Sequence, residues 1–323
     1  MRFLLTICLM GTMHVYAQFL PEVKVPVHAY ESMDASHYYL VDFSSLYTDA
    51  WHEYPQATFW YKIINMSEEK ALISVGKTRE ILGELSSAYY ECLTKEERTA
   101  YKDSVRIAHK MDKSEQLYVT YGKRNYYEFS QVVAKIDQAI PFFAKHEVDS
   151  WYAQAILLVE SPAELRTSPV GAYGPFQLMK SIALEYGITV NSTLDERAEV
   201  ATSAPVAAKL IKEVCIPHAK NILSKHRIPF KEDDLWFKLF VLHIYHAGAA
   251  NVRRVVDIIS PQKGGAALIQ QLWKTSYRRF GNASRNYSQL ALACLMKLEF
   301  TLARDFRYIC RAEPTYAKDL LLH

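Results

Sequence analysis

Glu160 ends the apolar segment WYAQAILLVE (151–160) and is followed at once by Ser161-Pro162. Trp151, Ala155, Leu158 and Val159 recur at i, i+4, i+7 and i+8, the stripe of a buried helix, and proline cannot continue the helical hydrogen-bond ladder. A carboxyl at the end of such a helix is partly desolvated and faces the negative pole of the helix dipole. Both effects disfavour ionisation and raise its pKa. A carboxylic acid that stays protonated near neutrality has the property required of a general acid toward a leaving oxygen. Most helix-terminal glutamates simply reach solvent, so the surrounding sequence has to decide between the two.

That surrounding sequence is patterned. After Glu160-Ser161 come Ser168-Pro-Val-Gly171-Ala172-Tyr-Gly174-Pro-Phe-Gln177-Leu-Met179, then Tyr186-Gly-Ile-Thr-Val-Asn191, Asp195-Glu196-Arg197, Ile244-Tyr245-His246-Ala247-Gly248 and Arg285-Asn286-Tyr287. In this order the elements resemble the soluble lytic transglycosylase domain, glycoside hydrolase family 23, and in particular its membrane-bound lytic transglycosylase D-like branch. The resemblance covers residues 145–300, about half the chain. Any one element is weak, whereas the ordered set is specific.

The resemblance implies cleavage of the β-1,4 bond between N-acetylmuramic acid and N-acetylglucosamine in peptidoglycan, with Glu160 as the single catalytic residue. Glycosidases of the ordinary kinds use two carboxylates. Here Glu160 would protonate the leaving oxygen and then act as base while the muramoyl 6-hydroxyl closes a 1,6-anhydro ring, with no metal and no cofactor. Ser168 and Gln177 would line the cleft, Met179 would pack below the reacting sugar, and Tyr245 and Tyr287 would bracket Glu160. Position 246 joins them as a substrate-binding residue. Gly171 and Gly174 would shape the turn, and Asp195-Glu196-Arg197 reads as a structural cap and ion pair.

Three departures from the family pattern stand out. The spacing from Glu160 to Ser168 is one residue shorter than usual, Pro175-Phe176 replaces Leu-Met or Leu-Trp, and His246 replaces an asparagine, which adds a titrating group. His243 and His246, spaced i, i+3, could share a metal, but no third ligand is evident. Two further functions stay open: a goose-type lysozyme that delivers water instead of the 6-hydroxyl, and a degenerate domain that binds peptidoglycan or scaffolds without cleaving. Glu164 is the only acidic residue close by in sequence and reads as a solvated loop charge.

The elements that must position these residues read as helices. Gly and Pro together are 23 of 323 residues, about 7% against an average near 12%, which argues against a many-turned β-protein. Residues 18–60 read as irregular. From Glu68 the spacing of Leu72, Val75, Ile81, Leu82 and Leu85 predicts a helix. KEERTAYKDSVRIAHKM predicts a surface helix, and Phe129, Val132, Val133, Ile136 and Ile140 predict another. Thr193 to Glu196 fits a capping box, Ser203 and Pro205 open a helix, LWFKLFVLHIYHA (235–247) is a core helix ended by Gly248, and LWKTSYRRF and NYSQLALACLMKLEF are further helices. No segment alternates as a strand. The expected fold is mostly α: a lysozyme-like helical domain over 141–310, preceded by a separate or packed helical N-terminal region (18–140) of unknown role and followed by a tail (311–323).

Residues 1–17 have a signal-peptide layout, with Arg2, an apolar core and Ala17 at the end. The expected product is therefore exported, periplasmic or in the cell envelope, and soluble, with no transmembrane helix. A net charge of +3 argues for no polyanionic partner, nucleic acid included. The expected partners are glycan strands, with residues 18–140 available to dock envelope proteins. Export permits disulfides among Cys92, Cys215, Cys294 and Cys310. Cys294–Cys310 is the favoured pair, and buried free thiols are an equal alternative.

Overall fold

The computed structural model describes residues 27–33, 35–160 and 165–312. The expected signal peptide, Ser161 and Glu164 lie outside them. The protein is mostly helical, with two three-stranded antiparallel sheets.

The first half departs most from expectation. In place of a helix from Glu68, strands Lys70–Val75 and Ile81–Ser86 form a hairpin, and a third strand, Leu117–Tyr121, pairs with the other edge of the first. The short run Ala71-Leu-Ile-Ser-Val75 is buried along its whole length. A run that short fits a buried strand as well as a helix face, so periodicity could not decide. Gly76 allows the close approach of the third strand: a Cβ there would meet the Tyr118 ring at 2.8 Å and the Gln116 carbonyl at 2.9 Å.

The expectation of no strands fails a second time at the chain's ends. Val27–Ser32 (β1) pairs with His37–Val41 (β2) on one side and with Phe306–Ala312 on the other. The hairpin strands are accordingly β3 and β4, Leu117–Tyr121 is β5, and the C-terminal strand is β6. Cys310 lies in β6 opposite Ala29, whereas Cys294 is a free thiol wholly buried among helices, so the favoured disulfide is not formed. Cys92 and Cys215 are free as well.

Helices α1 (Ser45–Thr48), α2 (Pro55–Asn65), α3 (Ser87–Cys92), α4 (Lys95–Ala108) and α5 (Val132–Lys145) complete the first half. Thr94 and Glu97 cap α4 reciprocally, and α4 buries no residue, as a charged surface helix should. The second half holds α6 (Trp151–Glu160), α7 (Lys180–Glu185), α8 (Val200–Leu210), α9 (Ile216–Lys225), α10 (Leu235–Ala247), α11 (Ala249–Ile259), α12 (Ala266–Lys274) and α13 (Asn282–Asp305). A π-turn, Ile211–Cys215, joins α8 to α9.

Three expected boundaries move. Helix α8 starts at Val200 and runs through Pro205, which costs it only the bond to Ala201. The Thr193–Glu196 box is replaced by Asp195, which caps a single 3-10 turn (Glu196–Ala198), while Glu196 turns back to accept the Thr189 amide at 2.5 Å. The helix expected through LWKTSYRRF stops at Lys274, and Tyr277 and Phe280 exchange backbone hydrogen bonds in a tight turn.

Helix α6 is the centre. Every residue from Trp151 to Val159 is buried, and α5, α8, α10, α13 and β2 surround it. Helix α13 packs on α6 and α10 and also on α2, so one core runs from Val27 to Leu302. A polar lock closes it. Gln154, wholly buried on α6, accepts the Val41 amide at 3.0 Å and donates to the Val41 carbonyl at 3.1 Å. It therefore pairs with the outer edge of β2 as a neighbouring strand would. Replacing Gln154 by Leu strands both backbone groups of Val41 in an apolar setting. The expected loss is about 2–4 kcal/mol, measured by urea unfolding of Gln154→Leu against the parent chain.

Candidate active site

The apolar helix α6 delivers Glu160 to the wall of a cavity of about 760 Å³. Tyr126 donates its hydroxyl to the Glu160 main-chain carbonyl at 3.1 Å, satisfying one acceptor that a helix end leaves unpaired. The side chain keeps a partly exposed edge on the cavity. Burial raises its pKa to about 7, and the nearby Tyr287 hydroxyl opposes the rise. Tyr287 is itself buried, and its hydroxyl completes no hydrogen bond of ordinary geometry with the protein. Tyr127 and Tyr245 also stand close enough for the Glu160 charge to raise their pKa values.

His246 lines the same cavity and stacks on Tyr287, with ring centroids 4.4 Å apart and planes 16° apart. The ring reaches solvent on one side, and desolvation of the other lowers its pKa to about 4, so it is neutral at ordinary pH. One turn earlier, His243 is wholly buried and lowered to about 3, mainly by burial. Its Nδ1 lies 3.0 Å from the Ser284 carbonyl, so that nitrogen must carry the proton. Nε2 then accepts from Ser288 at 2.8 Å, and Ser288 accepts from the Trp273 indole at 2.8 Å. Both ring nitrogens are thus committed to packing. Among the described residues no group of three His, Cys, Asp or Glu could hold a metal ion.

The segment 168–179 forms a tight turn beside the acid, and its side chains serve the turn. Ser168 Oγ accepts the Ala172 amide at 2.9 Å. Gln177 donates to the Arg166 carbonyl at 2.7 Å from a left-handed backbone conformation, φ 47°. Tyr245 donates to the Phe176 carbonyl at 2.6 Å. Met179 stands at the start of α7, 39% exposed. Arg197, only 6% exposed, pairs with Asp195 through two nitrogens and donates to the Gly171 and Leu178 carbonyls at 3.0 and 2.8 Å. Asp195 and Arg197 therefore clamp the turn. Of the expected site residues, Glu160, His246 and Tyr287 line the cavity, whereas Ser168, Gln177, Met179 and Tyr245 do not.

The rest of the wall went unread in the sequence. Trp60, Glu68, Lys123, Tyr126 and Tyr127 come from the first half, and Arg166, Asn282 and Asn286 from the second. Glu68 places a second carboxylate on the cavity and accepts the Asn125 amide at 2.9 Å. Asn286 belongs to the quoted Arg285-Asn286-Tyr287 motif but carried no assigned role. The chain holds 22 tyrosines, and no local pattern marks the Tyr126-Tyr127 pair among them as part of a cavity wall. Comparison with protein-family models finds no match, and no curated protein matches the chain significantly.

Two outcomes follow from these contacts. An unfolded glutamate releases its proton near 4.5, whereas folded Glu160 holds it to about 7, so its contribution to stability declines as pH rises across that window. Glu160→Gln should therefore melt higher than the parent above pH 7, by an amount worth about 1–3 kcal/mol, with the gap closing near pH 4. Calorimetry across pH 4–8 measures it. A Cβ at Gly174 (φ 84°) would stand 1.8 Å from the Arg197 carbonyl oxygen, while one at Gly171 (φ 84°) meets nothing within 4 Å. Gly174→Ala should cost roughly 3 kcal/mol or more, and Gly171→Ala about 1–2 kcal/mol, by the same method.

Proposed function

We propose that this protein is an exported peptidoglycan lytic transglycosylase and that residues 141–310 form its lysozyme-like catalytic domain. The observation that carries the reading is a helix-end carboxyl, lifted to a pKa of about 7 by burial, on a cavity it shares with Tyr287 and His246. The ordered motifs of the sequence support the same reading. Among the described residues no helix is long and apolar enough to cross a membrane.

In this mechanism the Glu160 carboxyl gives its proton to the glycosidic oxygen as the bond from that oxygen to the muramoyl anomeric carbon breaks. The resulting carboxylate takes the proton of the muramoyl 6-hydroxyl as O6 bonds to the same carbon. Atoms and charges balance without water. The raised pKa suits both steps, since a group titrating near the working pH can give and recover a proton at modest cost. Tyr287 provides a hydroxyl beside the carboxylate when it is charged, and neutral His246 supports the Tyr287 ring without adding a competing cation.

Glu68 favours one second reading, because a two-carboxylate cavity is what a hydrolase that activates water would use. Digestion of purified sacculi followed by mass spectrometry separates the two: anhydro ends are lighter by one water than reducing ends. The expected products are anhydro-ended. Activity should fall on the alkaline side with a midpoint near pH 7, and Glu160→Gln should lose at least about 100-fold in rate. Products bearing only reducing ends would establish the hydrolase, and equal release by parent and variant would exclude catalysis.

A further inference from the structure

The first turn of α13 opens on the cavity through Asn282 and Asn286. Its N-cap, Gly281, offers no side-chain cap and the turn carries no acidic residue. Arg285 is the first amide with a helical partner, at 3.1 Å from the Gly281 carbonyl. A 24-residue helix therefore presents its positive pole here without an acidic side chain to balance it.

Behind this turn lies Arg79, carried in on the β3–β4 turn and 2% exposed. One of its nitrogens donates to Asn282 Oδ1 at 2.8 Å and to Asn286 Oδ1 at 2.6 Å. A guanidinium has no acceptor, so both amide oxygens must face it, and the NH₂ arms are what the two asparagines have left to offer the cavity. Arg285, 7% exposed, lies close enough to repel Arg79, and the charged groups acting on Arg79 include no carboxylate. The Nε atoms of both arginines lack a hydrogen-bond partner. Lys123 and Arg166 line the same cavity and repel each other. Glu68, a carboxylate on the same cavity, accepts the Asn125 amide.

We propose that this end of the cavity binds a carboxylate of the ligand, with Asn282 and Asn286 as donors and Arg79 as the residue that positions them. It deepens the glycan reading and rests on it for the identity of the ligand: a muramoyl strand carries carboxylates on its lactyl arm or on its peptide stem. The donors themselves follow from Arg79 alone.

The test uses the full chain carrying Glu160→Gln, so that nothing is cleaved. Calorimetric binding compares the disaccharide N-acetylglucosaminyl-N-acetylmuramic acid with its lactyl methylamide and with the disaccharide bearing an acidic dipeptide. An acid form should bind about tenfold tighter than the methylamide, as charge-assisted bonds do, and adding Arg79→Met should bring the ratio toward one. Preference for the free lactyl acid places the carboxylate on the ring arm, and preference confined to the dipeptide places it on the stem. Asn286→Asp separates positioning from folding, because it gives Arg79 a counter-ion: its melting temperature should rise while the acid preference falls. Equal affinity for the methylamide and both acid forms, the free lactyl acid and the acidic dipeptide, overturns the proposal, as does acid preference retained in Asn286→Asp. If no saccharide binds, sodium acetate is titrated against the asparagine side-chain NH₂ signals, with sodium chloride as control. A saturable acetate shift lost in Arg79→Met keeps the anion site and removes the glycan reading, and no shift removes both.

Discussion

Everything in this fold answers to one constraint, the complete burial of α6. Nine consecutive residues without a solvent-facing side cannot be satisfied by one neighbouring layer. They need cover in every direction, and α5, α8, α10, α13 and β2 provide it. The chain has to bring segments from both ends to one place. The same enclosure gives Glu160 its chemistry, because the low-dielectric surroundings that favour the apolar helix oppose a charge at its end. Stability and a raised pKa are thus two results of one packing arrangement.

The cavity is correspondingly a joint product. Helix α6 supplies the acid, α10 and α13 supply His246 and Tyr287, and the first half supplies Trp60, Lys123, Tyr126 and Tyr127. Helix α13 carries the connection, since it packs on α2 as well as on α6 and α10 and begins at the cavity itself. Arg79 extends the dependence inward: a residue of the N-terminal hairpin sets which way two asparagines of the C-terminal half present their amides. The region that carried no readable motif forms about half of the wall.

The quoted motifs divide into two kinds once placed. Glu160, His246 and Tyr287 face the cavity. The glycine-rich turn, with Ser168, Gln177, Tyr245 and the Asp195–Arg197 pair, is a self-satisfied unit in which nearly every polar side chain closes a backbone bond. Motif residues in that unit act by holding shape. The positive φ of Gln177 is tolerated because its side chain and both neighbouring turns are tied down.

Much was settled by the sequence alone. The stripe and the proline placed α6 and its terminal acid, the all-round apolar run 235–247 placed α10 to the residue, and the charged run from Lys95 placed α4 on the surface. These are local properties: periodicity over three turns, a missing amide, a run of charges with no apolar face. What only the tertiary structure decided was pairing. Strands β3 and β4 share a hydrophobic spacing with a helix, and a partner at β5 and the closeness of Gly76 to Tyr118 made them strands. Strands β1 and β6 lie some 280 residues apart and define each other, which no window along the chain can reveal. The cavity wall belongs to the same class, because Glu68, Lys123 and Arg79 gain a role from what the fold sets opposite them. A side chain's local pattern is written in its neighbours along the chain, whereas its dielectric surroundings and hydrogen-bond partners exist only after distant segments have met.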